Sequence, residues 1–255
     1  MSCLIDRDGP RDECGVFGIY APEHDVARLT YFGLFALQHR GQESAGIATV
    51  PQGGHIMAIR DQGLVAQVFD EHMLRSLVGD MAIGHVRYST TGSSAWENAQ
   101  PIVRDDHRTL ALAHNGNLIN AVELHAELRE RGVPFRSSSD SEIIAALLAT
   151  HPGPRIEDAI ADALLQMRGA FSTVVLSDDA VVAFRDPHGL RPLSIGVIDP
   201  DRDGVEPTYC VASESCAFDL LGARFVRDVE PGEIVTLDSA GLSSRITEPA
   251  PRRAL

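Results

Sequence analysis

The order of the predicted elements constrains the fold of this chain more than any single residue in it. Short apolar runs bounded by turn residues occupy 16–21, 44–50, 55–61 and 81–88, and a further strand is predicted at 109–114, ending at Asn115-Gly116-Asn117. Three helical patterns then follow one another, at 121–131, 140–149 and 156–167, and strand-like runs resume at 171–176, 181–185, 193–198, 209–212, 224–229 and 233–237. Strands, a central group of helices, then antiparallel-looking strands predict an α+β chain: two sheets with helices over their outer faces. Helices are also expected at 25–40, with Asp25 as a cap, at 65–77 and at 216–221, and Pro51-Gln52-Gly53-Gly54 reads as a hairpin turn. No repeat of about 20–50 residues and no domain break interrupts the span from Val16 to Leu237.

Charge narrows the function classes. Thirty-six acidic residues against 22 basic ones give a formal charge of -14, which argues against nonspecific binding to nucleic acid or an anionic membrane. Cys3, Cys14, Cys210 and Cys216 lack the paired short spacing of a zinc site and are too few for a disulfide framework, so a reducing cytoplasm is the expected compartment. Residues 1–13 contain no apolar core of a signal peptide, and no later run approaches the ~18 residues of a spanning helix. That first segment is expected to be a leader to be trimmed or a disordered arm. Neither a phosphate-binding glycine loop nor a His-x-x-x-His or Cys-x-x-Cys pair occurs, so no metal or nucleotide site is expected in the chain.

Four clusters lie at strand ends or loop edges: Cys14; His39-Arg40-Gly41-Gln42; His85-Val86-Arg87-Tyr88-Ser89-Thr90; and Asn115-Gly116 with Asp140. Each has an ordinary reading. Cys14 fits a small buried hydrophobe, Asn115-Gly116 a turn, Arg87 a partner of a surface carboxylate, Asp140 a helix N-cap, and His39, His85 and His114 packed structural imidazoles. Together they also meet the needs of attack on an amide. With residues 1–13 removed, Cys14 carries a thiol and an α-amine that titrates near ~7.7–8.0, a nucleophile and its base in one residue. The Asn115 side-chain amide and the Gly116 N–H are candidate donors to the oxyanion. Arg87 suits the carboxylate of an amino-acid substrate and Asp140 its ammonium.

Cys14-Gly15-Val16-Phe17-Gly18, Leu37-Gln38-His39-Arg40-Gly41-Gln42-Glu43-Ser44-Ala45-Gly46-Ile47, Gly84-His85-Val86-Arg87-Tyr88-Ser89-Thr90, His114-Asn115-Gly116-Asn117 and Asp140-Ser141-Glu142 occur in order along the chain. So do Arg185-Asp186-Pro187-His188-Gly189-Leu190-Arg191-Pro192-Leu193 and Ala212-Ser213-Glu214-Ser215. The set closely resembles the glutaminase domain of the glutamine phosphoribosylpyrophosphate amidotransferases, within the class II glutamine amidotransferases. The sugar-phosphate aminotransferases of that class share the Arg-Gly…Ser-Ala-Gly-Ile pattern but usually have Thr-Arg-Trp where this chain has Val86-Arg87-Tyr88.

The resemblance implies the N-terminal nucleophile hydrolase fold, a four-layer αββα sandwich of two mainly antiparallel sheets. It implies a propeptide or leader at 1–13, the glutaminase domain at 14–240 and a linker at 241–255 toward a phosphoribosyltransferase domain supplied in cis or in trans. By the same resemblance Cys14 is the nucleophile, Asn115 and Gly116 form the oxyanion hole, Arg87 and Asp140 hold the ends of glutamine, Gly41 lines the pocket, and Thr90 lies in a loop that closes over the substrate. Glutamine would be cleaved through a Cys thioester to glutamate and ammonia, the ammonia serving phosphoribosylamine formation in the first step of de novo purine synthesis. No cofactor is implied in this chain; Mg²⁺ belongs with the transferase domain, and the full-length protein is expected to be a homo-oligomer. Two alternatives predict different behaviour: a noncatalytic glutamine-binding or assembly domain that retains its leader, and a class II domain serving another acceptor.

Overall fold

A computed structural model describes residues 14–88, 96–137, 139–199 and 207–247. The leader at 1–13, Thr90 and the end of the expected linker at 248–255 lie outside the described residues. Strand β1 (Gly15–Tyr20) is followed by α1 (Val26–Ala36), β2 (Ser44–Val50), β3 (Met57–Gln62), α2 (Val65–Val68), α3 (Glu71–Ser76) and β4 (Met81–Arg87). Next come β5 (Ile102–Asp105), β6 (Thr109–Leu118) and the helices α4 (Ala121–Glu130), α5 (Asp140–Ala149) and α6 (Ile156–Gln166). The chain continues through β7 (Gly169–Leu176), β8 (Val181–Arg185), β9 (Ser194–Ile198), β10 (Thr208–Ala212), α7 (Cys216–Asp219), β11 (Arg224–Asp228), β12 (Glu233–Asp238) and β13 (Gly241–Ile246).

These strands form two antiparallel sheets, one of order β11-β9-β10-β1-β4-β2-β3 and one of order β13-β12-β8-β7-β6-β5. Three cores result because the strands are apolar on both faces. Val16, Ile83, Ala113, Val174, Val181 and Val211 pack between the sheets. Phe17, Ile19 and Ala45 face α1, α2 and α7, while Leu112, Phe171 and Phe184 face α4, α5 and α6. The expected four-layer αββα sandwich is therefore present. Phe17, Phe171 and Phe184 are fully buried, each worth about 1.5–3 kcal/mol of transfer free energy. The sheets close tightly at Gly18, where a Cβ would come within 2.6 Å of Val174 Cγ1.

Several sequence expectations shift. The 65–77 helix is two short helices, because Phe69 is extended and the Asp70 carboxylate caps the second by accepting from Met73 N–H at 2.8 Å. Asp25 caps α1 as expected, accepting from Arg28 N–H at 3.0 Å. Asn115-Gly116 is not a turn: β6 runs through it to Leu118, paired with β7 over that whole length. Asp140 is not the cap of α5, since Ser139 takes that position and Asp140 begins the first turn. Two strands were not foreseen. Four-residue β5 is short, and β13 is a largely exposed polar edge strand with little apolar alternation. Pairing of β13 with β12 carries the second sheet through Ile246, so the stretch 241–246, expected in the linker, belongs to the domain.

Candidate active site

Cys14 stands immediately before β1 with φ +52°, in the left-handed region that β-carbon-bearing residues avoid at a cost of ~1–3 kcal/mol. Its backbone carbonyl is held by a buried guanidinium. Arg40 Nε–H donates to the Cys14 carbonyl at 2.7 Å, and the nearly buried Arg40 is itself paired with Glu214, whose other oxygen lies 3.0 Å from His39 Nε2. Burial pushes the Glu214 carboxyl up, but the Arg40 hydrogen bond and charge outweigh it and leave the group below the ordinary carboxylate range. The Cys14 thiol is partly exposed, with Sγ 3.7 Å from the carbonyl of Tyr88 just past β4. Cys210, by contrast, is fully buried, and burial raises its thiol to about 12. Inert packing therefore describes Cys210 and not Cys14.

The register brings Asn115 to the same end of the sandwich. Val16 pairs with His85 in the first sheet, and Gly18, which pairs with Ile83, abuts Val174, the partner of Ala113 in the second. Two rungs further along β4, His85 Nε2–H reaches across the inter-sheet layer to donate to the His114 carbonyl at 3.1 Å. Just beyond these rungs, Cys14 lies two residues before Val16 at the mouth of β1, and Asn115 one residue past His114 on β6. Asn115 is fully buried, and neither its Nδ2 nor its Oδ1 has a hydrogen-bond partner among the described residues. That is costly and uncommon for a buried amide.

Gly116 completes this edge. Its φ of +140° and a would-be Cβ only 2.0 Å from the Ala170 carbonyl exclude any side chain there. Pairing with β5 ends at Leu112, beyond which side chains take over. Gln100 Oε1 accepts from His114 N–H at 2.7 Å, and Asp140 Oδ2 accepts from Leu118 N–H at 3.0 Å. Gly116 is bracketed by these two acceptors on the edge of β6 opposite β7, past the last β5 pair, where no other strand among the described residues pairs with it.

Arg87, at the end of β4, donates to Glu43 Oε1 at 2.6 Å, and both side chains are largely buried. The partner carboxylate is thus one of the protein's own, supplied by the Gln42-Glu43-Ser44 stretch. The planar guanidinium has five N–H donors, so one contact fixes its orientation without exhausting it. Gly41 lies against the same strand end: a Cβ there would meet Val86 C at 2.6 Å and Arg87 N at 2.7 Å. Asp140 keeps its second oxygen 3.7 Å from His114 Nδ1, whose nearer partner is Ser141 Oγ at 3.1 Å.

His85 and His114 are structural, as the ordinary reading had it. Burial lowers His85 to about 3, with the His114 carbonyl pulling upward and the neighbouring His114 and Arg87 pushing further down. Burial likewise lowers His114, opposed by Asp140 and reinforced by Arg191. Both are neutral: the His85 ring spans the layer between the sheets, and the His114 ring packs against Ser141 and Asp140 of α5. His39 differs, being half exposed and paired with Glu214. Sequence reasoning missed the network of Gln100, Ser141, Glu43 and Glu214; Glu43 and Glu214 sat within motif stretches, whereas Gln100 carried no local signal. Among the described residues, one group brings three potential metal ligands together, His39, Glu214 and Cys216.

Similarity to known proteins agrees with this geometry. The chain is 48% identical over 256 residues to the amidophosphoribosyltransferase of Mycobacterium tuberculosis (strain ATCC 25618 / H37Rv), matching 97% of this chain and 47% of that protein. It is 51% identical to the amidophosphoribosyltransferase of Synechocystis sp., across 96% of this chain and 50% of the relative. The chain thus spans about half the length of the curated relatives it matches. Among solved structures, glutamine phosphoribosylpyrophosphate amidotransferase from Bacillus subtilis, complexed with ADP and GMP, superposes with a TM-score of 0.82 at 41% identity, covering 92% of this chain and 49% of that one. A family profile described as "Glutamine amidotransferase domain" matches residues 85–219, just over half of the chain. The chain belongs to the family of glutamine amidotransferase domains.

Proposed function

We propose that this chain is the glutaminase half of an amidophosphoribosyltransferase, releasing ammonia from the glutamine side chain for the amination of phosphoribosyl pyrophosphate. The observation that carries the chemistry is the unpartnered, buried Asn115 amide beside Gly116, at the end of the sandwich where the Cys14 thiol emerges. A binding module has no use for an unsatisfied amide at that place, whereas a developing oxyanion does.

In this reading residues 1–13 are removed and the Cys14 α-amine takes the thiol proton as the sulfur attacks the amide carbon. The tetrahedral oxyanion accepts from Asn115 Nδ2–H and Gly116 N–H. Collapse breaks the C–N bond; the α-ammonium passes its proton to the departing ammonia, leaving a γ-glutamyl thioester. Water, activated by the same amine, then releases glutamate and restores the thiol. Arg87, oriented by Glu43, holds the substrate carboxylate, and Asp140, at the start of α5, holds its ammonium. Gly41 leaves room for the glutamine against the end of β4, and Thr90 belongs to the segment that closes over it. The purine-pathway acceptor rests on the names and identities of the relatives, and the transfer step is assigned to a phosphoribosyltransferase domain outside this chain.

The test is glutamate release from glutamine by protein whose intact mass begins at Cys14. Activity is expected in that species and lost in Cys14→Ala. Parental activity in Cys14→Ala would overturn the mechanism. Glutamine-dependent pyrophosphate release from phosphoribosyl pyrophosphate, on adding a relative's transferase portion with Mg²⁺, tests the acceptor separately.

A further inference from the structure

We infer that His39, Glu214 and Cys216 form a binding site for a divalent metal of the zinc class, apart from the glutamine pocket and independent of the glutaminase reading. His39 Nε2, a Glu214 carboxylate oxygen and Cys216 Sγ all lie within 4.8 Å of one another. Glu214 Oε2 is 3.0 Å from His39 Nε2 and 3.6 Å from Cys216 Sγ. Four-coordinate zinc, with Zn–N and Zn–O of ~2.0–2.1 Å and Zn–S of ~2.3 Å, sets ligand-to-ligand edges of roughly 3.3–3.6 Å. The two edges that run from Glu214 are close to those lengths before any metal enters, and the third lies within 4.8 Å.

The surroundings orient the ligands. His39 Nδ1 lies 3.0 Å from the Ala36 carbonyl and must carry the proton to donate to it. In the neutral ring this turns the Nε2 lone pair toward Glu214 Oε2, an acceptor facing an acceptor, which a cation between them resolves. A ligating histidine whose other N–H is fixed by a backbone carbonyl is the common arrangement in metal sites. Cys216 Sγ lies 3.9 Å from the same Ala36 carbonyl, at the C-terminal end of α1, where the helix dipole favours positive charge. Arg40 opposes a cation, but it engages the other oxygen, Oε1, and so holds the carboxylate while leaving Oε2 to coordinate. His39 is half exposed and Glu214 about one-third exposed, which leaves an open side for a water as fourth ligand. Binding forms a metal–sulfur bond and releases the Cys216 thiol proton to solvent. Spacing in the chain conceals the site, since His39 and Glu214 are 175 residues apart.

Co²⁺ serves as the spectroscopic probe. Because Cys14 and Cys3 would also bind metal, the titration uses a Cys3→Ser, Cys14→Ala background. One equivalent of Co²⁺ is expected to give a thiolate-to-metal charge-transfer band with the visible bands of a four-coordinate ion, and Zn²⁺ to displace it. Cys216→Ser in that background should abolish the charge-transfer band, and His39→Gln should weaken Co²⁺ binding by about tenfold or more. In protein without these substitutions, Zn²⁺ should protect Cys216 from alkylation as followed by peptide mass, a readout that does not depend on how the variants fold. Absence of the band, its survival in Cys216→Ser, or alkylation of Cys216 at an unchanged rate in Zn²⁺ would each overturn the site.

Discussion

Replacing Asn115 by alanine separates a catalytic amide from a structural one, because the two readings predict opposite patterns. Asn115 is fully buried and both polar atoms of its side chain lack a partner among the described residues. A buried donor or acceptor left unsatisfied costs about 1–3 kcal/mol, so deleting the carboxamide returns that penalty while losing packing of similar size. The net change in stability is expected to stay within about 1 kcal/mol, or ~2–4 °C in Tm for a domain of this size. Activity should behave differently. Loss of one donor to the oxyanion costs about 2.7–4 kcal/mol, or 10²–10³ in kcat, with little change in KM for glutamine. Chemical denaturation and a glutamate-release assay on the same preparations give both numbers. Should Asn115→Ala lose more than about 2 kcal/mol of stability while keeping parental kcat, the amide is a packing element and the oxyanion argument fails.

Acid should destabilise the domain through its buried imidazoles. His85 binds a proton near 6.5 when unfolded but only near 3 when folded, so its contribution is complete above 6.5, falls as pH drops through that value, and levels off near 3. At pH 5 this amounts to about 2 kcal/mol from His85 alone, with His114 shifting in the same direction; a flat dependence of urea-unfolding free energy between pH 7.5 and 5 would contradict it. Gly116→Ala should cost more than about 3 kcal/mol, since the new Cβ meets the Ala170 carbonyl at 2.0 Å and the backbone has φ +140°; near-parental denaturation would show that β6 and β7 can part there. Arg87→Lys keeps the charge opposite Glu43 but loses the planar fork, so KM for glutamine should rise about tenfold with kcat changed only a few-fold; an unchanged KM would remove Arg87 from substrate binding.

The local sequence was enough to determine much of this protein. Apolar runs of strand length, the cap at Asp25 and the helical spacing at 140–149 and 156–167 place most elements within a residue or two, because each is decided by neighbours within one turn or one pleat. The order of those elements determined the two sheets and their outer helices, and motif residues marked Cys14, Arg87, Asn115, Gly116 and Asp140 before any geometry was known. What local pattern could not decide was settled by pairing. Asn115-Gly116 carries a turn dipeptide's chemistry, yet pairing with β7 from Ala111 through Leu118 overrides it, and that pairing partner lies more than fifty residues away. β13 has no apolar period to announce it and exists because β12 offers an edge. The clamp from Glu214 through Arg40 to the Cys14 carbonyl, the Glu43–Arg87 pair and the His85–His114 strut join distant segments, so no window of sequence contains them. Cys14 and the Asn115 amide emerge at one end of the sandwich only because two sheets stack in a single register. Their residue types were legible in the chain, but their proximity is a property of packing.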